Sequence, residues 1–197
     1  LEGNGELYQR EEPEAMVFRY RPRVEGLYNR IERWENKATG ISYWRVTDKE
    51  NVTSIFGQTD QSRVFNLEHP QQVFEWKIEK RYDALGNCIF FNYKRENNQQ
   101  VDPQHPWEGN RLSAGNANNQ LYIKQILYGN SVMYSSSSFE TDNQWYFQTV
   151  FDYGEHPGEI PTPNEINEWS VRQDPFSSYT PGFELRTYRL CRRVLHY

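Results

Sequence analysis

The 197-residue sequence has few of the side chains that build metal or disulfide sites. Its two cysteines, Cys88 and Cys191, lack CxxC spacing, which excludes a disulfide-dense scaffold and a cysteine-ligated zinc site. The sequence leaves open whether the two form a disulfide or stay free. The four histidines are scattered without HxH or HxxxH spacing, so no histidine-ligated metal site is predicted.

Long apolar runs, strong net charge and helix-forming composition are also absent. No run of about 18 apolar residues occurs, so no membrane-spanning segment is predicted. The formal net charge is only −5, which argues against nucleic acid or an anionic membrane as partner. Alanine and leucine are scarce whereas asparagine, glutamine and tyrosine are plentiful, and this balance disfavours helix.

The sequence contains none of the common catalytic signatures. There is no GxSxG, P-loop, GxGxxG or DxDxDG calcium loop. Carboxylate pairs do occur, Asp152 with Glu155 and Glu155 with Glu159, but acidic residues in a turn-rich segment are usually solvated. We therefore predict a protein that is not an enzyme, with no catalytic residue, no cofactor and no metal.

The serine run "YSSSSF" (134–139) requires a separate test. Arginine-specific ADP-ribosyltransferases have an arginine, then a Ser-Thr-Ser strand, then a Glu-x-Glu turn. The matching Glu12-Pro13-Glu14 here precedes the serines, so the order is wrong. The run is interpreted as a polar linker.

Aromatic and arginine residues are abundant. Aromatics reach 16%, and arginine supplies 16 of the 22 basic residues. The apolar residues recur with a period of two, which predicts an all-β fold of short antiparallel strands and hairpins with long polar loops. Strands are predicted at 16–22, 27–35, 41–47, 52–56, 121–128, 145–153 and 183–195. We expect a flexible segment 1–15 and a single β domain 16–197, with loop excursions at about 97–120 and 154–168.

The clearest local prediction is a β-hairpin over 73–95. In "VFEWKIEKRY" (73–82) the residues Phe74, Trp76, Ile78 and Tyr82 alternate with charged ones, interrupted only by Lys80. "DALG" follows, with Asp and Gly where a type I turn prefers them. A second alternating run comes after the turn, which places aromatic rings opposite each other on the two strands.

Three short stretches put an aromatic residue beside a turn glycine: "YDALGN", "LYGN" and "FDYG". We predict a structural role for Tyr82, Asp83, Gly86, Asn87, Tyr128, Gly129, Asn130, Asp152, Tyr153 and Gly154. The last stretch, "GFELRTYRLCRRVLHY", has apolar and arginine residues on both faces of a predicted strand. A strand of that kind lies between two protein surfaces, so Arg186 and Arg189 are expected to hold carboxylates or to stack on rings.

Several motifs, in order, resemble one known family. They are "FRYRPRVEGLYNRIERW", with Arg23, Glu25 and Gly26, then "YWRVTDKENVTSIFG", "FEWKIEKRYDALGN", "YIKQILYGN", "VFDYGEH" and "RQDPFSSYTPGFELRTYRLCRRVL". Their succession from about Phe18 to Leu195 is similar to the SpvB-like N-terminal region of the B component of bacterial Tc (toxin complex) insecticidal toxins. That region is related to Salmonella SpvB and to Rhs/YD proteins.

The resemblance implies a structural role in a secreted bacterial toxin. In that family the B component and its C partner form a hollow β-sheet shell that encloses a cytotoxic piece and docks on the pore-forming A component. The chain is then expected to be a fragment of that shell, with the rest of the parent chain and the C and A components as partners. The alternative is a carbohydrate-binding β domain that uses exposed aromatic side chains.

Overall fold

The regular secondary structure of the described residues is almost all antiparallel β-strand, as predicted. The computed structural model describes residues 8–109, 111, 118–135 and 145–197. The strands are β1 (Gln9–Glu11), β2 (Ala15–Tyr20), β3 (Arg30–Asn36), β4 (Ser42–Thr47), β5 (Thr53–Phe56), β6 (Arg63–Asn66), β7 (His69–Trp76), β8 (Ile78–Tyr82), β9 (Cys88–Arg95), β10 (Leu121–Asn130), β11 (Trp145–Asp152), β12 (Phe176–Ser178), β13 (Leu185–Thr187) and β14 (Arg193–His196). One 3-10 turn (Asp60–Ser62) precedes β6.

Most strands join one large sheet. Its order is β1-β2-β3-β4-β5-β8-β9-β10-β11-β14, and two small sheets pair β6 with β7 and β12 with β13. The chain divides into two compact units, each built from several segments. Unit 1 comprises 1–63, 75–90 and 128–146, and unit 2 comprises 64–74, 91–127 and 147–197.

Unit 1 is stabilised largely by rings and arginine side chains laid along its strands. Arg10 lies 5.3 Å from the ring centroid of Trp34, and Arg33 lies 4.7 Å from that of Phe18. Tyr20 packs on Trp44 with ring centroids 5.1 Å apart. The stems of these long side chains cover shorter apolar residues beneath them, and Val17 is 1% exposed.

Unit 2 contains two buried apolar clusters. The first consists of Val64, Leu121, Phe183 and Leu185, with Tyr93 packed against it. The second consists of Tyr122, Tyr153 and Trp169, with Phe151 packed against it. Tyr122 and Trp169 meet edge to face, with centroids 5.5 Å apart, a geometry that aromatic rings prefer.

Two predicted strands are interrupted. The strand predicted at 183–195 is wrong as a single element, because β13 and β14 are separated by residues that bond elsewhere. Tyr188 N donates to the Tyr122 hydroxyl (3.0 Å), and Arg192 N donates to the Asp152 carbonyl (2.8 Å). The run 73–82 also breaks, at Lys77, whose backbone bonds to Gly57 and to a serine carbonyl rather than continuing one ladder.

The C-terminal part of the predicted flexible segment 1–15 forms a strand. Residues 9–11 of the segment 1–15 form β1 and pair with β2, in the register Arg10 opposite Val17. An ion pair from Arg10 to Glu32 (2.7 Å) fastens this short edge strand. Residues 1–7 lie outside the described residues, as does most of the predicted serine linker, since 136–144 are not described.

Candidate functional site

The motif residues of unit 1 meet around the turn between β8 and β9. The Asp83 carboxylate accepts hydrogen bonds from Leu85 N (2.8 Å), Asn87 N (3.0 Å) and Asn87 Nδ2 (2.8 Å). The Asn87 side chain is the main cause that lowers the pKa of Asp83. Gly86 has φ +84°, in the left-handed region where glycine is favoured. The predicted hairpin is present with a shorter first strand, β8 followed by β9, and Tyr82 is paired with Cys88.

Asn130, from the second motif, ties that turn to the end of β10. Its Oδ1 accepts from Cys88 N (2.9 Å), and its Nδ2 donates to the Gly86 carbonyl (2.8 Å). A side chain on Gly86 would meet Met133 Cβ at 3.0 Å, so the close approach also requires glycine. "YDALGN" and "LYGN", distant in sequence, are therefore joined by hydrogen bonds into one group, which we call the Asp83–Asn130 cluster.

A cavity of about 420 Å³ lies at the Asp83–Asn130 cluster. Its lining includes Val52, Arg81, Tyr82, Asp83, Asn87, Cys88, Ile89, Tyr128, Gly129 and Asn130. Burial raises the pKa of the Cys88 thiol to about 11, so this cysteine is not an activated nucleophile. Cys88 and Cys191 are both free thiols.

The Asp83–Asn130 cluster does not include Arg23, Glu25 or Gly26. All three are exposed in the loop between β2 and β3 and do not line the cavity. Glu25 Oε1 accepts from Tyr28 N at 3.0 Å. Tyr28 has φ +55°, an uncommon value for a residue with a side chain, so the carboxylate helps to hold a strained loop conformation.

In unit 2, Arg189 is the centre of a buried ionic contact. Its Nε donates to Glu96 Oε2 (2.9 Å), and its Nη2 donates to Glu96 Oε1 in the second arm of a bidentate pair. Nη1 donates to the Trp169 carbonyl (2.8 Å), and Nη2 also donates to the Gln99 carbonyl (3.0 Å). Both charged side chains have 0% exposure. The guanidinium also lies 4.4 Å from the Trp169 ring centroid.

Arg186 forms a second buried network through Glu108. Its Nη2 donates to Glu108 Oε1 at 2.7 Å, while Arg111 (2.8 Å) and the Tyr188 hydroxyl donate to Oε2. Burial alone would raise the pKa of Glu108, but these three hydrogen bonds together lower it. Glu108 belongs to the predicted loop 97–120, and its 2% exposure shows that this part of the loop is anchored in the interior.

The third motif, "FDYG", opens a buried polar turn. Asp152 Oδ1 accepts from Gly154 N (2.7 Å), and its other oxygen accepts from Arg193 Nε (2.7 Å). The Tyr153 ring belongs to the buried aromatic cluster. Gly154 has φ +111°, and a Cβ there would lie 2.3 Å from Ser170 Oγ. Glycine is therefore required by conformation and by space.

Asp152, Glu155 and His156 bring potential metal-ligand atoms within 4.8 Å of one another. These atoms already have partners from the chain. Lys124 Nζ contacts Glu155 Oε1, the Phe151 carbonyl (3.0 Å) and His156 Nε2 (3.4 Å). Because an ammonium group already serves as the cation here, a metal ion would have to displace Lys124. The arrangement is an internal ion cluster rather than a metal centre.

Sequence reasoning anticipated carboxylate partners for the arginines but did not identify them. It also expected acidic turn residues to be solvated, which is wrong for Asp152 (1% exposed) and Glu155 (0%) and holds for Glu159. Glu96 and Lys124 were missed altogether. Glu96 lies 93 residues from its arginine partner and Lys124 lies 31 from Glu155, and no local pattern signals pairing over such separations.

Comparison with known proteins decides the family. The family model described as "Salmonella virulence plasmid 65kDa B protein" (SpvB) matches residues 2–197. The chain belongs to the SpvB family. It is 34% identical over 186 residues to the mono(ADP-ribosyl)transferase SpvB of Salmonella typhimurium, covering 91% of this chain and 31% of that protein. This SpvB-family chain thus spans about a third of the length of the curated relatives that it matches.

Solved structures agree with this assignment. The N-terminal domain of the effector SpvB from Salmonella typhimurium strain LT2 matches with TM-score 0.84 and 33% identity, over 93% of this chain and 58% of that one. A TcdB2-TccC3 crystal structure matches with TM-score 0.86 and 29% identity, over 96% of this chain and 10% of that one. The matched part of SpvB is its N-terminal domain, not its transferase domain. The SpvB-family chain therefore corresponds to the N-terminal domain of SpvB and to part of a TcdB2-TccC3 chain.

Proposed function

We propose that the chain is a non-catalytic wall segment of a secreted toxin, contributing to a β-sheet shell that encloses and delivers a cytotoxic domain. The observation that carries the proposal is its match to TcdB2-TccC3, in which nearly the whole of this chain corresponds to 10% of a much longer one. The Photorhabdus luminescens Tc holotoxin pore contains a similar match, at 29% identity and TM-score 0.85 over 96% of this chain.

The buried charges support a structural role rather than a catalytic one. Glu96, Glu108, Asp152 and Glu155 each bind a basic side chain of the same unit. Buried charges that are fully paired hold elements in place, whereas catalytic groups need a free lone pair or proton facing a substrate. A wall has to keep its loops closed, and these pairs fasten the segments 97–120 and 154–168.

The sheet edges also suit a segment of a larger wall. β1 has only β2 as a partner among the described strands, and β14 has only β11. Open edges can pair with further strands. We assign as partners the remainder of a parent toxin chain and its C and A components, outside the bacterial cell. No helix in the described ranges is long and apolar enough to cross a membrane.

The carbohydrate-binding alternative would need exposed, coplanar rings. The rings of the second apolar cluster are buried, with Trp169 at 0% and Tyr122 at 8% exposure. Trp34 and Tyr43 stack at an interplanar angle of 22°, but both are half-buried in unit 1. These buried rings favour the wall, while exposed rings such as Trp107 (58%) and Tyr146 (71%) are the ones that a carbohydrate could contact.

The size of the native protein tests the proposal. An antibody raised to this chain should detect, in its source, a protein several-fold heavier than 23.6 kDa. Within that native protein, assembled with its partners, Arg189→Met should expose the enclosed piece to added protease. Arg192→Met is the matched control, because Arg192 is exposed. A native protein of 23.6 kDa would contradict the wall role. Transfer of ADP-ribose by this chain from labelled NAD would contradict the non-catalytic role.

A further inference from the structure

One row of paired residues in unit 1 places two cations on the same face of the sheet. Arg45 on β4 pairs with Ile55 on β5, and Ile55 pairs with Lys80 on β8. Directly paired residues project from the same face of a sheet, so Arg45 and Lys80 flank Ile55 on one side. Two strand spacings place their backbones about 10 Å apart.

Neither cation has a carboxylate partner among the described residues. Arg45 packs with its guanidinium carbon 6.0 Å from the Trp34 ring centroid, and its buried Nε has no hydrogen-bond acceptor. Lys80 Nζ lies 5.9 Å from the Phe90 ring centroid. Burial lowers the pKa of Lys80, with Glu79 opposing it only in part. Half-buried charges without a counter-ion are unfavourable and are normally paired.

Glu32, which lies opposite Arg45 on β3, and Glu79, next to Lys80 in the chain, accept hydrogen bonds from other groups. Glu32 accepts from Arg10 at 2.7 Å and from Trp34 Nε1 at 3.3 Å. Glu79 accepts from Thr59 N at 2.8 Å and from Ser62 Oγ at 2.5 Å. Neither carboxylate forms an ion pair with Arg45 or Lys80 among the described residues.

Phenolic hydroxyls add donors around the same row. Burial raises the pKa of Tyr43, with Arg45 and Tyr82 acting on it electrostatically. Tyr134 packs over Tyr82 with centroids 4.7 Å apart, and its pKa is raised to about 12, mainly by burial. Two cations that flank the buried Ile55 (5% exposed) suit oxygen anions on a chain that crosses the strands.

We propose that Arg45 and Lys80 form a binding site for the carboxylates of an acidic polypeptide segment lying across β4, β5 and β8. A single phosphate is smaller than the backbone separation of about 10 Å, whereas glutamates three residues apart on a polyproline II chain share one face and lie about 9 Å apart. Single-stranded nucleic acid would need open rings for base stacking. Here Trp34 is stacked on Tyr43, and Phe90 packs on Tyr134 at 6.0 Å. The site goes beyond the wall role and does not depend on it.

Fluorescence anisotropy with a labelled polyproline II peptide of about twelve residues, proline-rich with glutamate at every third position, tests the site. We expect salt-sensitive binding that the glutamine version of the peptide lacks. Arg45→Gln/Lys80→Gln should weaken binding by about tenfold or more. The matched control is Arg33→Gln/Arg81→Gln, which removes the same charge from the opposite face, where both arginines have carboxylate partners. It should stay within about twofold of wild type.

Equal losses in the two double variants, or equal binding of the glutamine peptide, would overturn the site. Tighter binding of oligothymidylate or of inorganic phosphate would overturn the polypeptide assignment. A stability measurement checks the same idea without a ligand. Lys80→Met should melt at or above the wild-type temperature in the absence of peptide, because it removes an unpaired, half-buried charge. A clear drop in melting temperature would mean that Lys80 has an internal partner and is not free to bind.

Discussion

Replacing Arg189 by methionine should be one of the most damaging single changes in unit 2. Neither Arg189 nor Glu96 has exposed side-chain surface, so the pair is fully removed from water. Removing one member of a buried pair leaves the other charge uncompensated and typically costs about 3–5 kcal/mol. The cost is larger than for a surface pair, which is worth about 0–1 kcal/mol.

The local hydrogen bonds place the expected loss within that range. Glu96 Oε1 keeps donors from Asn97 N (3.1 Å) and Asn98 N (2.9 Å) after the substitution, so its charge is not left without contacts. The carbonyls of Trp169 and Gln99 lose the guanidinium donors that now reach them. Each buried polar group left unpaired costs about 1–3 kcal/mol. We therefore expect Arg189→Met to lower the free energy of unfolding by about 4 kcal/mol.

Urea denaturation of the wild type, Arg189→Met, Glu96→Met and the double variant would measure this loss and its origin. For a chain of this length a loss of 4 kcal/mol corresponds to a fall in Tm of about 10 °C. The double variant should lose less than the sum of the single variants, because no isolated charge stays buried. Arg192→Met, on an exposed arginine next in the same run, should be nearly neutral. A loss below about 1 kcal/mol for Arg189→Met would refute the buried pair.

Three further outcomes are expected. Asn130→Ala should cost about 1–2 kcal/mol and speed hydrogen exchange at Cys88 N, which loses its acceptor; unchanged exchange would show that Asn130 does not hold the turn. Gly154→Ala should cost about 1–3 kcal/mol in thermal melts, and Ser170→Ala should recover part of it, since Ser170 Oγ is the atom that the new Cβ meets. The lowered pKa of Glu108 stabilises the fold above the ordinary carboxyl pKa of about 4.3, and this contribution disappears as the pH falls through the lower folded value. Melting curves from neutral pH to pH about 3 should show Glu108→Gln to be less acid-sensitive than the wild type, and equal acid sensitivity would contradict the assignment.

The sequence predicted the strands well where alternation alone decides the structure. The turn around Asp83 and Gly86 and the strands from 15 to 56 lie close to their predicted positions, because period-two apolar patterning and turn residues act locally. Even there, the predicted position of Phe74 on a buried face is wrong. Phe74 is 42% exposed, because the ladder changes at Lys77, where the backbone bonds to a different neighbour. Alternation cannot reveal such a change, since its cause lies in residues distant in the chain.

The candidate site was predicted only in outline. "YDALGN" and "LYGN" were expected to be structural, but nothing in either motif indicates that Asn130 would bond to Cys88 N and to the Gly86 carbonyl. The arginine-rich end was expected to find carboxylates, and Arg186, Arg189 and Arg193 do so. A single sequence does not show which acidic residues are buried, because their burial depends on packing between residues distant in the chain.

The buried charges of unit 2 explain why its long loops can be polar in sequence and still be part of the interior. Lys124 on β10 reaches Glu155 and, at 3.3 Å, Glu165 on the segment 154–168, so one ammonium fastens two points of that segment to a strand. If apolar residues anchored the segment, its sequence would predict a buried segment. Because charged residues anchor it, its sequence predicts a solvated loop. Charged anchors also fail differently, because they lose their hold when a carboxylate is protonated, while an apolar contact does not change with pH. The acid sensitivity of this fold should therefore be concentrated in the loops rather than in the sheet.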